Sequence, residues 1–301
     1  MTQIETVRRK GVLGRASLTL FRHPRLKLAL TLLPPLAWMV VIYLCAIGFM
    51  LLTSFWRLDS LSSEVVRDLN VQNYIGPLGA YTADFYRAIS LRTLGMAAAV
   101  TTTDLLFAFP LAYFMARVAT PRARNALVLA VTMPLWANYM VRLFAWRTAL
   151  AGRGPVDELL GLVGFDGRLI GTNWAVWITL CYLWFPFTVL PIYAAFERVP
   201  GSLLEASGDL GARGWFTFRR VLFPLVFPGV VAASLFAFSL SLGDYITTFF
   251  QGKKLFIGNA IEGLTGIASN RPLAAALATI PMVIVAIYLI VAKRLGAFEA
   301  L

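Results

Sequence analysis

The sequence predicts an all-α, polytopic membrane protein with six transmembrane helices, and three observations predict it. Hydrophobic residues make up 59% of the 301 and charged residues only 14%, with a mean hydropathy of +0.73. A soluble chain carries about 25% charged residues, so this one has too little polar surface to live in water. The apolar residues also fall in pieces long enough to cross a bilayer: about 20 residues of helix span roughly 30 Å of hydrocarbon and satisfy their own backbone. Finally, the Lys and Arg residues gather on one side of those pieces.

In chain order, a basic segment (1–27) precedes the first span, Leu28–Trp56, which is free of charge. It is too long for a signal-peptide core and no small-residue cleavage site follows it, so it reads as a retained anchor. A core of five helices follows over 89–294. Thr93–Ala116 carries one acidic residue, Asp104. Asn125–Leu150 is uncharged through Val141 and then holds Arg142 and Arg147. Trp174–Ala195, Val221–Gly243 and Pro272–Ala292 carry no charge. Cys45 and Cys181 both lie inside spans, where they act as small apolar packing residues rather than a disulfide or metal pair.

The net charge of +12 is explained by topology. With a cytoplasmic N-terminus, the inside segments carry Arg8, Arg9, Lys10, Arg15, Arg22, Arg25 and Lys27, then Arg117, Arg122 and Arg124. Arg198, Arg213, Arg219 and Arg220 follow, and Lys293 and Arg294 close the set. The outside loops hold fewer, along with Asp59, Glu64, Asp68, Asp157, Glu158 and Asp166. That is the positive-inside pattern, with both termini in the cytoplasm; Lys253 and Lys254 sit against it. The basic excess is topogenic, its N-terminal part can touch anionic headgroups, and no nucleic-acid partner is implied.

Pro34, Pro35, Pro110, Pro134, Pro186, Pro191, Pro228 and Pro281 fall within predicted spans. Each removes a backbone donor and bends its helix, which membrane helices tolerate where neighbours or a cavity absorb the freed carbonyls. Proline is also simply commoner in membrane helices. The only histidine, His23, lies in the basic segment, and HExxH, a P-loop and CxxC are absent. No catalytic or metal-binding constellation can be assembled.

The connection 197–224 is long and not membrane-like. Ser202 followed by Glu205 has the spacing of a capping box, predicting a short helix from Leu203 to about Leu210 that stops at Gly211 in a left-handed C-terminal position. A second short helix should begin near Trp215 and feed the fifth span at about Pro224. Trp215, Phe216 and Phe218 offer apolar anchors; Arg219 and Arg220 stay at the headgroups or a protein surface. Such a segment suits either an amphipathic helix lying on the membrane or docking to a soluble partner.

The residues of that connection resemble the EAA loop of binding-protein-dependent ABC importer permeases. Glu205-Ala206-Ser207, three residues, Gly211, nine residues, then Val221-x-Phe223-Pro224 follow EAA-x3-G-x9-I-x-LP, with mild substitutions at Ser207, Val221 and Phe223. Ser239–Phe250 and Phe107–Arg117 resemble the corresponding stretches of the spermidine/putrescine class. The resemblance covers about 91–294. It implies a type I ABC importer permease fold and a non-catalytic transport subunit in a bacterial inner membrane. Its implied partners are a second, homologous permease forming a heterodimer, a cytoplasmic ATPase pair that binds the ATP and Mg, and an extracytoplasmic binding protein. This chain itself would hold no cofactor. Glu205, Ala206, Ser207, Gly211 and Pro224 are then the ATPase-coupling residues.

Charges inside a membrane are costly and mark function. Asp104 lies near the middle of the second span and Asp244 near the outer end of the fifth. An Asp244–Arg142 ion pair locking two helices is one reading. An anionic lining for a cationic substrate is the other, helped by Trp136, Tyr139 and Tyr245 through cation–π attraction. A polyamine fits both the chemistry and the resemblance, although the family also carries opines, other organic cations, ferric iron and anions. The alternative outside this class is a membrane-embedded enzyme or assembly factor using the loop only as an anchor.

Overall fold

The computed structural model describes residues 24–59, 62, 64–75, 80–152, 154–161 and 169–296. Residues 1–23 of the basic segment, His23 among them, and Asp166 lie outside these. The chain divides into two units, 1–53 and 54–301. In the first unit, α1 (Pro24–Ser54) runs unbroken through Pro34 and Pro35.

In the second unit a two-stranded antiparallel ribbon, β1 (Arg57–Leu58) and β2 (Val65–Val66), is followed by the single turn α2 (Gln72–Ile75). The helix α3 (Ala80–Tyr113) continues into a π-helical turn at Phe114–Val118. Then come α4 (Pro121–Trp136), α5 (Tyr139–Ala149), α6 (Pro155–Gly161) and α7 (Asn173–Arg198). The short α8 (Gly201–Asp209) and α9 (Gly214–Thr217) lead through a second π-helical turn, Phe218–Leu222, into α10 (Phe223–Gly243). The chain closes with α11 (Ile246–Gln251), α12 (Ile257–Gly266) and α13 (Arg271–Arg294).

Among the described residues, five helical runs are long and apolar enough to cross a membrane: 31–54, 84–118, 173–198, 214–243 and 271–294. The sixth expected span, Asn125–Leu150, is not one helix. It is α4 and α5, bent by 97° at a two-residue break. The sequence pattern registers only that the stretch is apolar. The break itself is made by Asn138, whose side chain accepts the Met140 N–H as an N-cap and opens a new helix. Pro134 lies one turn before it, while the other seven span prolines sit inside helices that continue through them.

The core of the second unit is where α3, α7 and α10 meet. Ala108, Ala112 and Met115, Val189, Ile192 and Phe196, and Leu222, Val226 and Ala233 are buried there together. Small side chains let these backbones approach closely, the usual route to packing in lipid, where the hydrophobic effect gives no drive between helices. One such close approach is at Gly229 of α10, where an added Cβ would overlap the Cβ of Ala195 on α7. Gly229→Leu is therefore expected to destabilise the unit by about 1–3 kcal/mol. The fall should be read as a lower thermal midpoint of the purified protein in detergent.

Arg117 donates to the carbonyls of Phe196 and Val199 at 2.6 and 2.7 Å. Both carbonyls lie at the C-terminus of α7, where Phe196 O also accepts the Val199 N–H at 3.3 Å and where a cation complements the helix dipole. Arg124 donates to Met115 and Ala116 O and sits 3.8 Å from Glu197. Two of the residues counted as topogenic therefore also fasten the ends of α3 and α7.

Candidate functional site

The coupling candidates form a compact helical hairpin. α8 begins at Gly201 with Pro200 as its N-cap, and no side chain caps it. The expected Ser202–Glu205 capping box is absent: Pro200 sets the entry conformation, so Ser202 already lies inside the first turn and Glu205 falls past the third position. The C-terminus does follow the expectation. Gly211 has φ +78°, its N–H donates to Gly208 O at 2.8 Å, and the Ala212 N–H donates to Ser207 O at 3.1 Å. That bond pair is a Schellman motif, which requires the left-handed residue at this point.

Glu205, Ala206, Gly211 and Pro224 are exposed. Ser207 is not: it is buried, and its hydroxyl shares a 2.8 Å hydrogen bond with Thr217, tying α8 to α9. This gives Ser207 a structural task at the position where the EAA pattern has alanine; Thr217 could not be singled out from the sequence. Leu210 is 88% and Trp215 72% exposed. A groove of about 630 Å³ lies between the two short helices, lined by Leu203, Ala206, Leu210, Gly211 and Phe216 among others. Trp215 stacks on Phe218, and Arg220 lies over the Phe216 ring.

On its inner side the hairpin is keyed to the membrane helices. Leu204 and Phe218 pack against the core of α3, α7 and α10. Phe109 of α3 meets Phe196, Phe218 and Phe223 at 5.2, 6.0 and 6.3 Å between ring centres. One ring thus touches α7, the α9–α10 junction and α10. Phe109 lies in the Phe107–Arg117 stretch, but nothing in its local pattern distinguishes it from its aromatic neighbours.

A second group of candidates meets where two helices break. Asp244 ends α10 and opens α11, accepting the Thr247 N–H at 2.8 Å on Oδ1. Its Oδ2 accepts the Tyr139 and Thr247 hydroxyls at 2.7 and 2.9 Å. Tyr139 is the first residue of α5, just past the other break, and its ring stacks on Trp184. The two breaks are therefore bonded to one another. Gln251 to Leu143 O and Arg147 to Phe250 O add further ties between α5 and α11.

The Asp244–Arg142 pair, one of the two readings of Asp244, does not form. Both Asp244 oxygens are taken by neutral donors, and Arg142 Nε and Nη1 are buried without a hydrogen-bond partner. Trp136 and Tyr245, next to the two breaks, keep exposed rings. Thr247 is the residue the sequence reading missed here, and the Asp-x-x-Thr spacing of a capping residue was its signal.

Asp104 is not brought to this cluster. It is 1% exposed at the centre of α3 and lines a separate cavity between α3, α4 and α7, with Cys181 as a neighbour.

The sequence matches the family model described as "Binding-protein-dependent transport system inner membrane component" over residues 108–297. It is 38% identical to the inner membrane ABC transporter permease protein YdcU of Escherichia coli (strain K12), over all of this chain and 99% of that one. It is 30% identical to the spermidine/putrescine transport system permease protein PotB of Haemophilus influenzae (strain ATCC 51907 / DSM 11121 / KW20 / Rd), over 86% of this chain and 90% of that one. A chain in the crystal structure of a bacterial ABC transporter involved in import of the acidic polysaccharide alginate superposes with a TM-score of 0.65. That match is 18% identical and covers 93% of this chain and 99% of the other, a likeness of fold.

Proposed function

The chain belongs to the family of binding-protein-dependent transport system inner membrane components, and from that premise we propose that it couples ATP hydrolysis to import of an organic cation of the polyamine class. It is a multi-pass membrane protein and a non-catalytic permease subunit of an ABC importer; hydrolysis in such systems belongs to a separate ATPase. That membership removes the alternative of a membrane-embedded enzyme.

The α8–α9 hairpin is the coupling element in this reading, and its exposed face carries the proposal. An apolar groove flanked by uncovered Leu210 and Trp215 is costly in water and suits a protein partner. Glu205 and Ala206 on α8 and Gly211 at its end present the surface to a cytoplasmic ATPase. Closure of an ATPase pair that binds ATP and Mg displaces the hairpin. The Phe109 contacts pass that displacement to α3, α7 and α10 together, a rigid-body switch between inward- and outward-facing states biased by differential binding. Both termini and the hairpin then lie in the cytoplasm, a placement that the Lys/Arg distribution supports. A second, homologous permease completes the pathway, and an extracytoplasmic binding protein delivers the substrate.

The substrate reading rests on Tyr139, Asp244, Tyr245 and Trp136. A carboxylate and three aromatic rings at adjoining helix breaks offer an ammonium group charge, hydroxyl acceptors and π faces. The PotB relatives, named for spermidine and putrescine transport, support the same class. Opines, ferric iron and anions are the competing cargoes.

The test is purification of the tagged chain from its native membrane. An ATPase and a second permease should co-purify, and a binding protein loaded with spermidine should stimulate hydrolysis in reconstituted vesicles. A stable lone monomer would overturn the pairing. Stimulation by a binding protein loaded with an anion instead would overturn the substrate class.

A further inference from the structure

We propose that the cavity between α3, α4 and α7 is a binding site for an organic monoamine with an apolar, ring-bearing body. The cavity measures about 630 Å³, within the range of sites that hold small molecules. Its walls are almost wholly apolar, with Phe107, Leu111, Trp177, Tyr182 and Phe185 around Asp104. Phe107, 61% exposed, stands at its edge. None of its lining residues belongs to the Tyr139–Asp244 cluster, so this site is separate from the substrate group proposed above.

The feature that selects the ligand is Asp104. It is 1% exposed and lines the cavity, and although its carboxyl has a hydrogen bond with the Cys181 side chain, its Oδ2 has no partner. A buried carboxyl oxygen left without a partner is destabilising, and a donor on a ligand would relieve it. An ammonium group answers both the charge and the open lone pairs, and charge-assisted bonds are about twice as strong as neutral ones. The aromatic walls favour the same cation and accept an apolar body behind it. An anion is excluded by the carboxylate, since no Lys or Arg lines the cavity. The wall supplies no second acidic residue either. A di- or triamine would therefore have to place its further ammonium groups, stripped of water, against hydrocarbon. One charge and one apolar body is the complement.

The full chain, together with any subunits that co-purify with it, is placed in phosphatidylcholine nanodiscs and dialysed against labelled phenethylamine, with 2-phenylethanol as the uncharged control. The expected result is saturable binding of the amine at about one per chain, over a non-saturable lipid background. Asp104→Asn should weaken it by about tenfold or more, the loss of a bond to a charged group. Ala130→Phe, which leaves the carboxyl and fills the lining, should do the same. Binding of 2-phenylethanol should not distinguish the three proteins, and spermidine should displace phenethylamine only weakly. Undiminished amine binding by Asp104→Asn would overturn the proposal, as would tighter competition by spermidine or no saturable binding at all. The readout is equilibrium binding, so it stands or falls independently of the transport assays that test the pathway.

Discussion

Replacing Gly211 by arginine is expected to abolish uptake while the protein still inserts into the membrane and accumulates normally. Gly211 holds φ +78°, a region where an L-residue costs about 1–2 kcal/mol. The strain would fall on the Schellman bonds of Gly211 and Ala212 that end α8 and aim the chain into α9. A Cβ there meets nothing within 4 Å, so the new side chain would not clash within the protein. It would project over the groove lined by Leu210 and Phe216, where the partner ATPase is proposed to seat. Gly211→Ala separates the two effects: it keeps the strain and removes the obstruction, and should retain part of the uptake. The check is transport in whole cells, with the membrane level of the chain measured in parallel and the ATPase assayed for co-purification. Normal uptake by Gly211→Arg would remove the hairpin from the coupling role.

At the other site, Asp244→Asn is expected to lower uptake by about tenfold or more with little change in protein level. Asparagine keeps an oxygen for the Thr247 N–H or for the Tyr139 hydroxyl, so the joined helix breaks should hold. What it removes is the charge, and a bond to a charged group contributes about 1.5–3 kcal/mol. Asp244→Ala goes further. It leaves Tyr139, Thr247 Oγ1 and the Thr247 N–H without their shared acceptor, and should lower thermal stability as well as transport. The informative comparison is between the two variants, in uptake of labelled putrescine and in thermal midpoint. Wild-type uptake by Asp244→Asn, with loss only in Asp244→Ala, would make Asp244 a latch between α5 and α11 and not a lining for a cation.

How far the sequence reached differs between these two places. The hairpin was legible because its signals are local. A left-handed glycine after a helical run, a proline opening the next long helix and a fixed spacing between them are written in consecutive residues. Even there the start of α8 was misplaced, because Pro200 fixes the entry conformation and so displaces the Ser202–Glu205 cap. The break between α4 and α5 was missed because hydropathy measures what a segment dissolves in, not its direction. Asn138 carried the information as a helix cap within an apolar run.

By itself the sequence determined that the chain is membrane-embedded, helical and built around a polar connection of a recognisable kind. Those properties follow from apolar length, charge asymmetry and short-range backbone chemistry, which act within a turn or two of chain. Only the tertiary structure decided what each charge and ring does. It turned Arg117 and Arg124 into fasteners of helix ends, gave Ser207 its bond to Thr217, and saturated Asp244 with Tyr139 and Thr247 in place of Arg142. It also set Asp104 apart in a cavity with an open oxygen. Partners such as Tyr139 and Asp244 are 105 residues apart in the chain. They meet where α5 and α11 begin, two short helices tied further by Gln251 to Leu143 O and Arg147 to Phe250 O, and no local pattern encodes that meeting.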